Sequence, residues 1–330
     1  MKIAMIVPNL PPQVCGVYDY TRKLAEHWPT RDEWTLVCPQ DGRPWTGANA
    51  VRIERSGKSL SCALASLEPD AIGLQYTCFG YAHDGVPTWL AEGLEQFKRN
   101  GQARLAVMFH EFAYDGSFWR RAHWRKPRQE ALAVRLCRVA DAALTGIPEH
   151  QQAVREATGR NIGLAVIPSN IDPVTTSAHE GPLVFGVFGL PGTRAKALAG
   201  HKRLIAGLAK SSPQIKVREI GSDKDKAISD AAVSRALAAC DAVLSPYEAA
   251  FIWKSGAAMA AFAHGCAVIA LGSPKLGGPP VLTYGRSVGS MMSMSDRVVL
   301  RDAGQAGNRW YVEHSGWPRA VAAWHAALTR

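Results

Sequence analysis

Short apolar runs without helical period alternate along this chain with stretches of roughly 3.6-residue period. The run MKIAMIVP (1–8) ends in the Pro/Gly-rich loop NLPPQVCG, and VYDYTRKLAEHW (17–28) then takes on helical character. That is strand, loop, helix, the opening unit of an α/β fold. Further strands are predicted at WTLVCP (34–39), DAIGLQY (70–76), ARLAVMFHE (103–111), DAALTG (141–146) and LAVIPSN (164–170). Helical patterns lie between them, as in PTWLAEGLEQFKRNG (87–101), where Gly101 is a C-terminal stop. Strands alternating with helices predict a parallel sheet covered on both faces.

The polar segment DPVTTSAHEGP (172–182), with two prolines, reads as a linker, after which the alternation restarts. Strands are predicted at 183–189, 215–221, 241–247 and 266–272, with helices near 194–210, 226–239 and 256–264. The expected fold is therefore α/β, with two Rossmann-like, doubly wound parallel-sheet halves meeting near residue 175. Ligands of such sheets bind beyond the carboxyl ends of the strands. With two halves, a ligand is expected in the cleft that separates them.

Composition narrows this picture. A length of 330 residues suits two domains of about 150 each. Hydrophobic residues make up 47% and charged residues 20%, which is globular rather than disordered. No apolar run reaches the roughly 18 residues of a membrane span. The apolar start is too short for a secretory core and no small-residue cleavage site follows it, so the expected location is the cytoplasm. The seven cysteines are scattered and form no CxxC pair. They are expected as buried reduced thiols, not as a zinc site or disulfide framework.

The net charge of +10 favours an anionic partner. A sugar diphosphate, an anionic membrane surface and nucleic acid all satisfy it. The densest basic segment is RRAHWRKPR (120–128), with Trp119 and Trp124. It reads either as a solvated surface or as an acceptor- or membrane-facing edge.

Four places carry candidate chemistry. Gly16, in the loop from the first strand into the first helix, lets backbone approach a ligand, and the helix N-terminus beyond it offers N–H groups to an anion. A single glycine is not the GxGxxG of dehydrogenases. His110 and Glu111 end an apolar strand, where active-site groups sit, although a strand-end histidine is as often structural. The pair does not continue to HExxH, since residue 114 is Tyr. Lys254, Ser255, Gly256 and Ala257, just before an Ala-rich helix, read as an anion cradle, with Lys254 as the point charge. The alternative is a lysine that snorkels at a helix start. Arg194 and Lys196 follow Gly189 and Gly192 after the first strand of the second half, and are expected to face the same ligand as the lysine cradle.

These segments together resemble glycosyltransferase family 4. The resemblance runs through the Gly16 loop with DYTRKLAEHW, LQYTCFGY, VMFHE, VIPSNI and SPYEAAFIWKSGAAMAAFAHGCAVIA, and covers nearly the whole chain. It is most specific at 245–270. The C-terminal SGWPRAVAAWHAAL is similar to the family's closing, tryptophan-led helix. The resemblance implies a GT-B fold. It implies an N-terminal acceptor-side domain (1–174), a C-terminal donor domain (175–312) and a final helix (313–330) crossing back to the first.

It further implies transfer of a sugar from a nucleoside-diphosphate sugar to a hydroxyl with retention, and no metal or cofactor. By position, Gly16 is implied to touch donor phosphate or acceptor, His110 to lie against the sugar ring, and Glu111 beside it. Gln75, Tyr76 and Tyr18 fall on the acceptor side. Arg194, Lys196, Glu248, Lys254, Ser255, Gly256 and Ala257 fall on the donor side.

The chain departs from the family at one point. Anchored on Gly265, the places of two glutamates eight positions apart hold Ile252 and Ala260, and Glu248 lies four residues before the first. Lys254-Ser255-Gly256 matches a variant subgroup with Arg-Ser-Gly-Ser there. The expected acceptor is a carbohydrate or lipid-linked glycan, with peripheral association at an inner membrane face. A nucleic-acid acceptor and a non-catalytic nucleotide-sugar-binding protein are the competing readings.

Overall fold

In the computed structural model the apolar runs become two separate parallel sheets. Residues 1–113, 123–174, 181–211, 215–223, 228–274, 277–285 and 293–330 are described. Most of the linker 172–182, and residues 119–122 with the first part of the basic segment, lie outside them. The chain divides into two units. Met1–Val166 with Trp317–Arg330 forms unit 1, and Ile167–Gly316 forms unit 2.

Unit 1 holds a seven-stranded parallel sheet in the order β3-β2-β1-β4-β5-β6-β7. Its strands are β1 (Lys2–Ile6), β2 (Glu33–Cys38), β3 (Asn49–Arg52), β4 (Ala71–Tyr76), β5 (Arg104–Phe109), β6 (Ala142–Thr145) and β7 (Gly163–Leu164). The first six follow the doubly wound order, with the reversal of direction at β1/β4. Helices are α1 (Gly16–Glu26), α2 (Gly57–Leu67), α3 (Cys78–Tyr81), α4 (Thr88–Lys98), α5 (Lys126–Val139) and α6 (Pro148–Thr158).

β4 is buried along its whole length, as a central parallel strand must be. One core joins Ile72, Leu74 and Val107 of the sheet to Leu60 and Leu64 of α2, Leu90 and Leu94 of α4, and Leu132 and Leu136 of α5. α2 starts on Ser56, whose side chain accepts the Ser59 N–H at 3.2 Å.

β3 was not expected. Its four residues NAVR lie on the sheet edge, exposed or half-buried, so no apolar run announces them. The strand expected over 164–170 is reduced to a two-residue pairing with Leu144 and Thr145 of β6. Beyond Leu164 only one further bond, Ala165 N–H to Thr145 O at 2.8 Å, continues toward β6, which ends at Thr145.

Unit 2 holds a four-stranded parallel sheet in the order β11-β10-β8-β9, reversing at β8/β10. Its strands are β8 (Val184–Phe188), β9 (Lys216–Ile220), β10 (Ala242–Glu248) and β11 (Ala267–Leu271). The single helix expected over 194–210 is two, α7 (Pro191–Gly200) and α8 (Lys202–Ser211). They part at His201, whose side chain is fully buried and bonded elsewhere. The helix expected near 226–239 starts later, as α9 (Asp230–Ala238) capped by Ser229. α10 (Gly256–Ala263) is apolar all round and buried from Ala258 to Ala263.

The last two helices are α11 (Arg297–His314) and α12 (Trp317–Thr329). α11 crosses the turn after α10 so closely that a Cβ at Gly304 would fall 2.1 Å from the Gly265 carbonyl oxygen. α12 belongs to unit 1 and packs on β4, β5, β6 and α1. Its Trp324 is fully buried, and the Arg104 Nε–H donates to Ala327 O at 2.7 Å. Among the described residues no helix is long and apolar enough to cross a membrane.

Candidate functional site

In unit 1 the candidate residues gather at the carboxyl ends of β1, β4 and β5, around the β1/β4 reversal. Ladder register places Gln75 of β4 beside Met108 of β5, and the His110 N–H donates to Tyr76 O at 3.0 Å. Gln75 and His110 therefore project to one face of the sheet and Tyr76 to the other.

His110 Nε2 lies 2.7 Å from Gln75 Oε1. With the carboxamide oxygen turned toward it, Nε2 is the donor and carries the proton, and Nδ1 holds the lone pair. The Tyr20 ring and the imidazole form a T-shaped pair, with centroids 5.2 Å apart and planes at 84°. Desolvation lowers the histidine pKa from 6.5 to about 4, so the ring is neutral at ordinary pH. Gln75 is fully buried, and its Nε2 has no hydrogen-bond partner among the described residues.

Tyr20 escaped sequence reading, and it anchors the cluster. It is fully buried and accepts the Trp324 indole N–H at 2.9 Å. Its ring also packs on Trp317, at 5.4 Å between centroids, and Trp317 stacks on His27 at 5.2 Å and 13°. The C-terminal helix thus supports His110 through Tyr20. A tyrosine two residues beyond Tyr18 in an amphipathic helix gave the only signal for this.

The other residues of unit 1 are distributed differently. Gly16 is the exposed first residue of α1, and a Cβ there would meet nothing within 4 Å. Glu111 is half-buried next to His110. Tyr18 is buried against Trp45 at 5.9 Å, and burial raises its phenol pKa. Tyr76 lies in the core on the far face, edge-on to Phe109 at 5.5 Å, so it is not grouped with Gln75 and His110. Trp124 of the basic segment is 75% exposed. A cavity of about 510 Å³, lined in part by Ser61, Glu68, Gln96 and Asn100, lies at the amino ends of β4 and β5. That is the wrong end of the sheet for a doubly wound ligand site.

In unit 2 the candidates follow β8 and β10, at that sheet's own reversal. β10 is irregular between Leu244 and Glu248, where Pro246 interrupts the ladder. Buried His201 holds this irregularity, donating from Nε2 to Ser245 O at 2.8 Å and accepting from Tyr284 Oη at Nδ1, 3.0 Å away. Lys196, exposed on α7, sits 6.0 Å from the Tyr247 ring centroid. Lys254 is half-buried, with Nζ 5.0 Å above the Phe251 ring. An ammonium over an aromatic face is attracted by the ring quadrupole. Glu248 is exposed at the end of β10.

Ser255 is buried, and its hydroxyl caps α10, accepting the Ala258 N–H at 3.1 Å. One lone pair of its oxygen is thereby used by the helix start. Gly256 is exposed, with open space around its Cβ position, and Ala257 is half-buried beside it. The two places where the resembled pattern has glutamates hold Ile252 and Ala260, at 0% and 1% exposure.

Arg194 is 5% exposed and most of its donors are taken. It pairs with Glu219 at 3.0 Å and with Asp223, and donates to Gly189 O at 2.8 Å and Ser222 O at 3.3 Å. Its guanidinium clasps the loops after β8 and β9. A Cβ at Gly221 would fall 2.3 Å from Gly189 O, so this clasp depends on glycine. Sequence order alone did not show that β9 would set two carboxylates against it.

Two Rossmann-like α/β units in one chain, each with candidate residues at its sheet reversal, define a GT-B fold. Solved structures agree. The chain matches a protein described as a UDP-N-acetylglucosamine 2-epimerase from Listeria monocytogenes with a TM-score of 0.62 at 11% identity, covering 99% of this chain and 95% of that one. It matches the lipopolysaccharide outer core galactosyltransferase WaaB with a TM-score of 0.59 at 14% identity, over 99% of each chain. S. aureus MnaA, solved with UDP, gives a TM-score of 0.58 at 10% identity over 99% of this chain and 95% of that one. At these identities the likeness is one of fold. No protein-family model matches the chain and no curated protein matches it by sequence.

Proposed function

We propose that this protein is a glycosyltransferase that moves a sugar from a nucleoside-diphosphate sugar to a hydroxyl acceptor, with retention at the anomeric carbon. The observation that carries the reading is the division of chemistry on a GT-B fold. Unit 1 presents a neutral hydrogen-bonding histidine at its sheet reversal, and unit 2 presents lysines and a helix N-terminus at its own.

The donor's diphosphate is held by unit 2. Lys254 and Lys196 supply positive charge, and the first N–H groups of α10 at Gly256 and Ala257 supply dipoles. As the glycosidic bond breaks, negative charge grows on the leaving phosphate, and fixed cations aimed there lower the barrier. Arg194 is assigned a positioning role, holding the Gly189 loop. Glu248 contributes its carboxylate at the donor's ribose or sugar. No resident metal or cofactor is part of the reading.

The acceptor belongs to unit 1 and the donor to unit 2. His110 contacts a sugar hydroxyl, Glu111 and Gln75 flank it, and Gly16 lets the acceptor or phosphate approach the start of α1. Tyr18 and Tyr76 serve as buried supports. The acceptor hydroxyl loses its proton during attack, with the departing phosphate as base. The acceptor class is a carbohydrate or lipid-linked glycan, met in the cytoplasm or at its membrane face. A GT-B galactosyltransferase and a UDP-bound protein among the structural matches support a sugar-nucleotide donor.

The experiment is release of nucleoside diphosphate from a set of UDP- and GDP-sugars, with the anomeric product followed by proton NMR. Diphosphate release with a retained anomer is expected. An epimerised sugar nucleotide, or an inverted anomer, would replace the reading. Binding without release would favour a non-catalytic protein, which the buried Ile252 and Ala260 would suit.

A further inference from the structure

We propose that Gln75 is a positioning residue that holds His110 in a single neutral tautomer, Nε2–H, leaving Nδ1 as an acceptor for a hydroxyl of the bound sugar. The inference deepens the glycosyltransferase reading and rests on it for the identity of that hydroxyl. The tautomer itself does not depend on that reading.

The geometry gives the constraint. Gln75 Oε1 and His110 Nε2 are 2.7 Å apart, across adjacent strands whose spacing is set by the β4/β5 ladder. With Oε1 turned to the ring, the Nδ1–H tautomer would set two lone pairs against each other at that distance. A half turn of the ring is opposed by Tyr20, packed in a T-shaped contact at 5.2 Å and itself held by the Trp324 indole. Gln75 cannot swing away, because its side chain is fully buried.

His110 makes no other side-chain hydrogen bond among the described residues. Nδ1 is then the open valence of the cluster, and it accepts but does not donate. A partner must bring a proton, as a sugar hydroxyl does and a phosphate dianion does not. This assigns His110 to the sugar rather than to the diphosphate. Burial supports the neutral form, since the ring charges only near pH 4.

The test is the ¹⁵N–¹H long-range correlation spectrum of the whole protein, with the His110 ring assigned by its loss in His110→Ala. At pH 7 the wild type is expected to show a protonated, pyrrole-type Nε2 and a pyridine-type Nδ1. Gln75→Leu is expected to average the two nitrogens and to lower kcat about tenfold at unchanged donor KM. Gln75→Glu keeps an acceptor, and so keeps the tautomer, while raising the His110 pKa.

A pyridine-type Nε2 in the wild type overturns the proposal with no variant needed. So does a Gln75→Leu spectrum identical to wild type. If the protein turns over no sugar nucleotide yet shows the predicted spectrum, the glycosyltransferase reading fails and the tautomer lock stands.

Discussion

In unit 1 the candidate pair Gln75 and His110 is uncharged and packed against the aromatic ring of Tyr20. In unit 2 the candidate lysines stand nearer the surface and carry charge. His110 is depressed to about 4 by burial and bonded to a neutral carboxamide. Lys196 and Lys254 rest on the faces of Tyr247 and Phe251. The buried cation of unit 2, Arg194, is matched by Glu219 and Asp223 and does not contradict the pattern. A polyanion needs fixed charge that keeps most of its hydration until binding. A hydroxyl is told from its surroundings by a dry, oriented hydrogen bonder, for which charge would be costly. The proposed function accounts for the contrast by giving charge to the diphosphate and neutral hydrogen bonding to the sugar.

The largest expected break of that contrast is His110→Ala. Turnover should fall on the order of 10³-fold, as when a positioned hydrogen-bonding side chain is lost from a reacting centre. Donor binding through unit 2 should change only a few-fold, and thermal denaturation should show that the fold persists.

Acidification acts on the same residue. The folded chain protonates His110 near pH 4 and the unfolded chain near 6.5, so the unfolded chain takes up the proton first as pH falls. The stabilisation is complete above pH 6.5 and is withdrawn as pH drops toward 4, by roughly 3 kcal/mol. Burial also lowers His201 and His264, which act in the same direction. Denaturant midpoints at pH 7 and pH 4.5 should show the loss, and His110→Gln should flatten part of it.

Lys254→Ala sharpens the other side. A loss of about 10²-fold in turnover is expected from removing a fixed charge at the leaving group. Lys254→Arg should restore part of it, and the melting temperature should stay near wild type. The smallest effect is Trp324→Phe, which removes the donor to Tyr20 Oη in a buried site. About 1 kcal/mol of stability should go, read from chemical denaturation, since one hydrogen bond contributes about that much.

Much of this was legible in the order of residues, but unevenly. β1, β4 and β5 announced themselves because a strand buried on both faces is mostly apolar. β3 did not, because an exposed edge strand accepts Asn49 and Arg52 without penalty. His110 was visible as an ionisable residue ending an apolar strand. Its bond to Gln75 was not, since it depends on which strand lies beside β5. The same reason hid Arg194, whose basic character suggested a phosphate ligand until β9 placed Glu219 beside it. Ser255, read as part of an anion cradle, also caps α10, which its place before an Ala-rich run did not reveal. Short-range pattern predicts elements. Strand adjacency decides which side chains remain available.

The central claim is that a sugar nucleotide is cleaved through charge on unit 2 and hydrogen bonding on unit 1. The most direct measurement is nucleoside-diphosphate release from UDP- and GDP-sugars by wild type, Lys254→Ala and His110→Ala side by side, with a thermal-shift titration of each donor. The account predicts release by wild type with at least one donor. Lys254→Ala should lose both release and thermal shift, and His110→Ala should lose release while keeping the shift. Release by both variants at the wild-type rate, or no release and no shift with any donor, would contradict it.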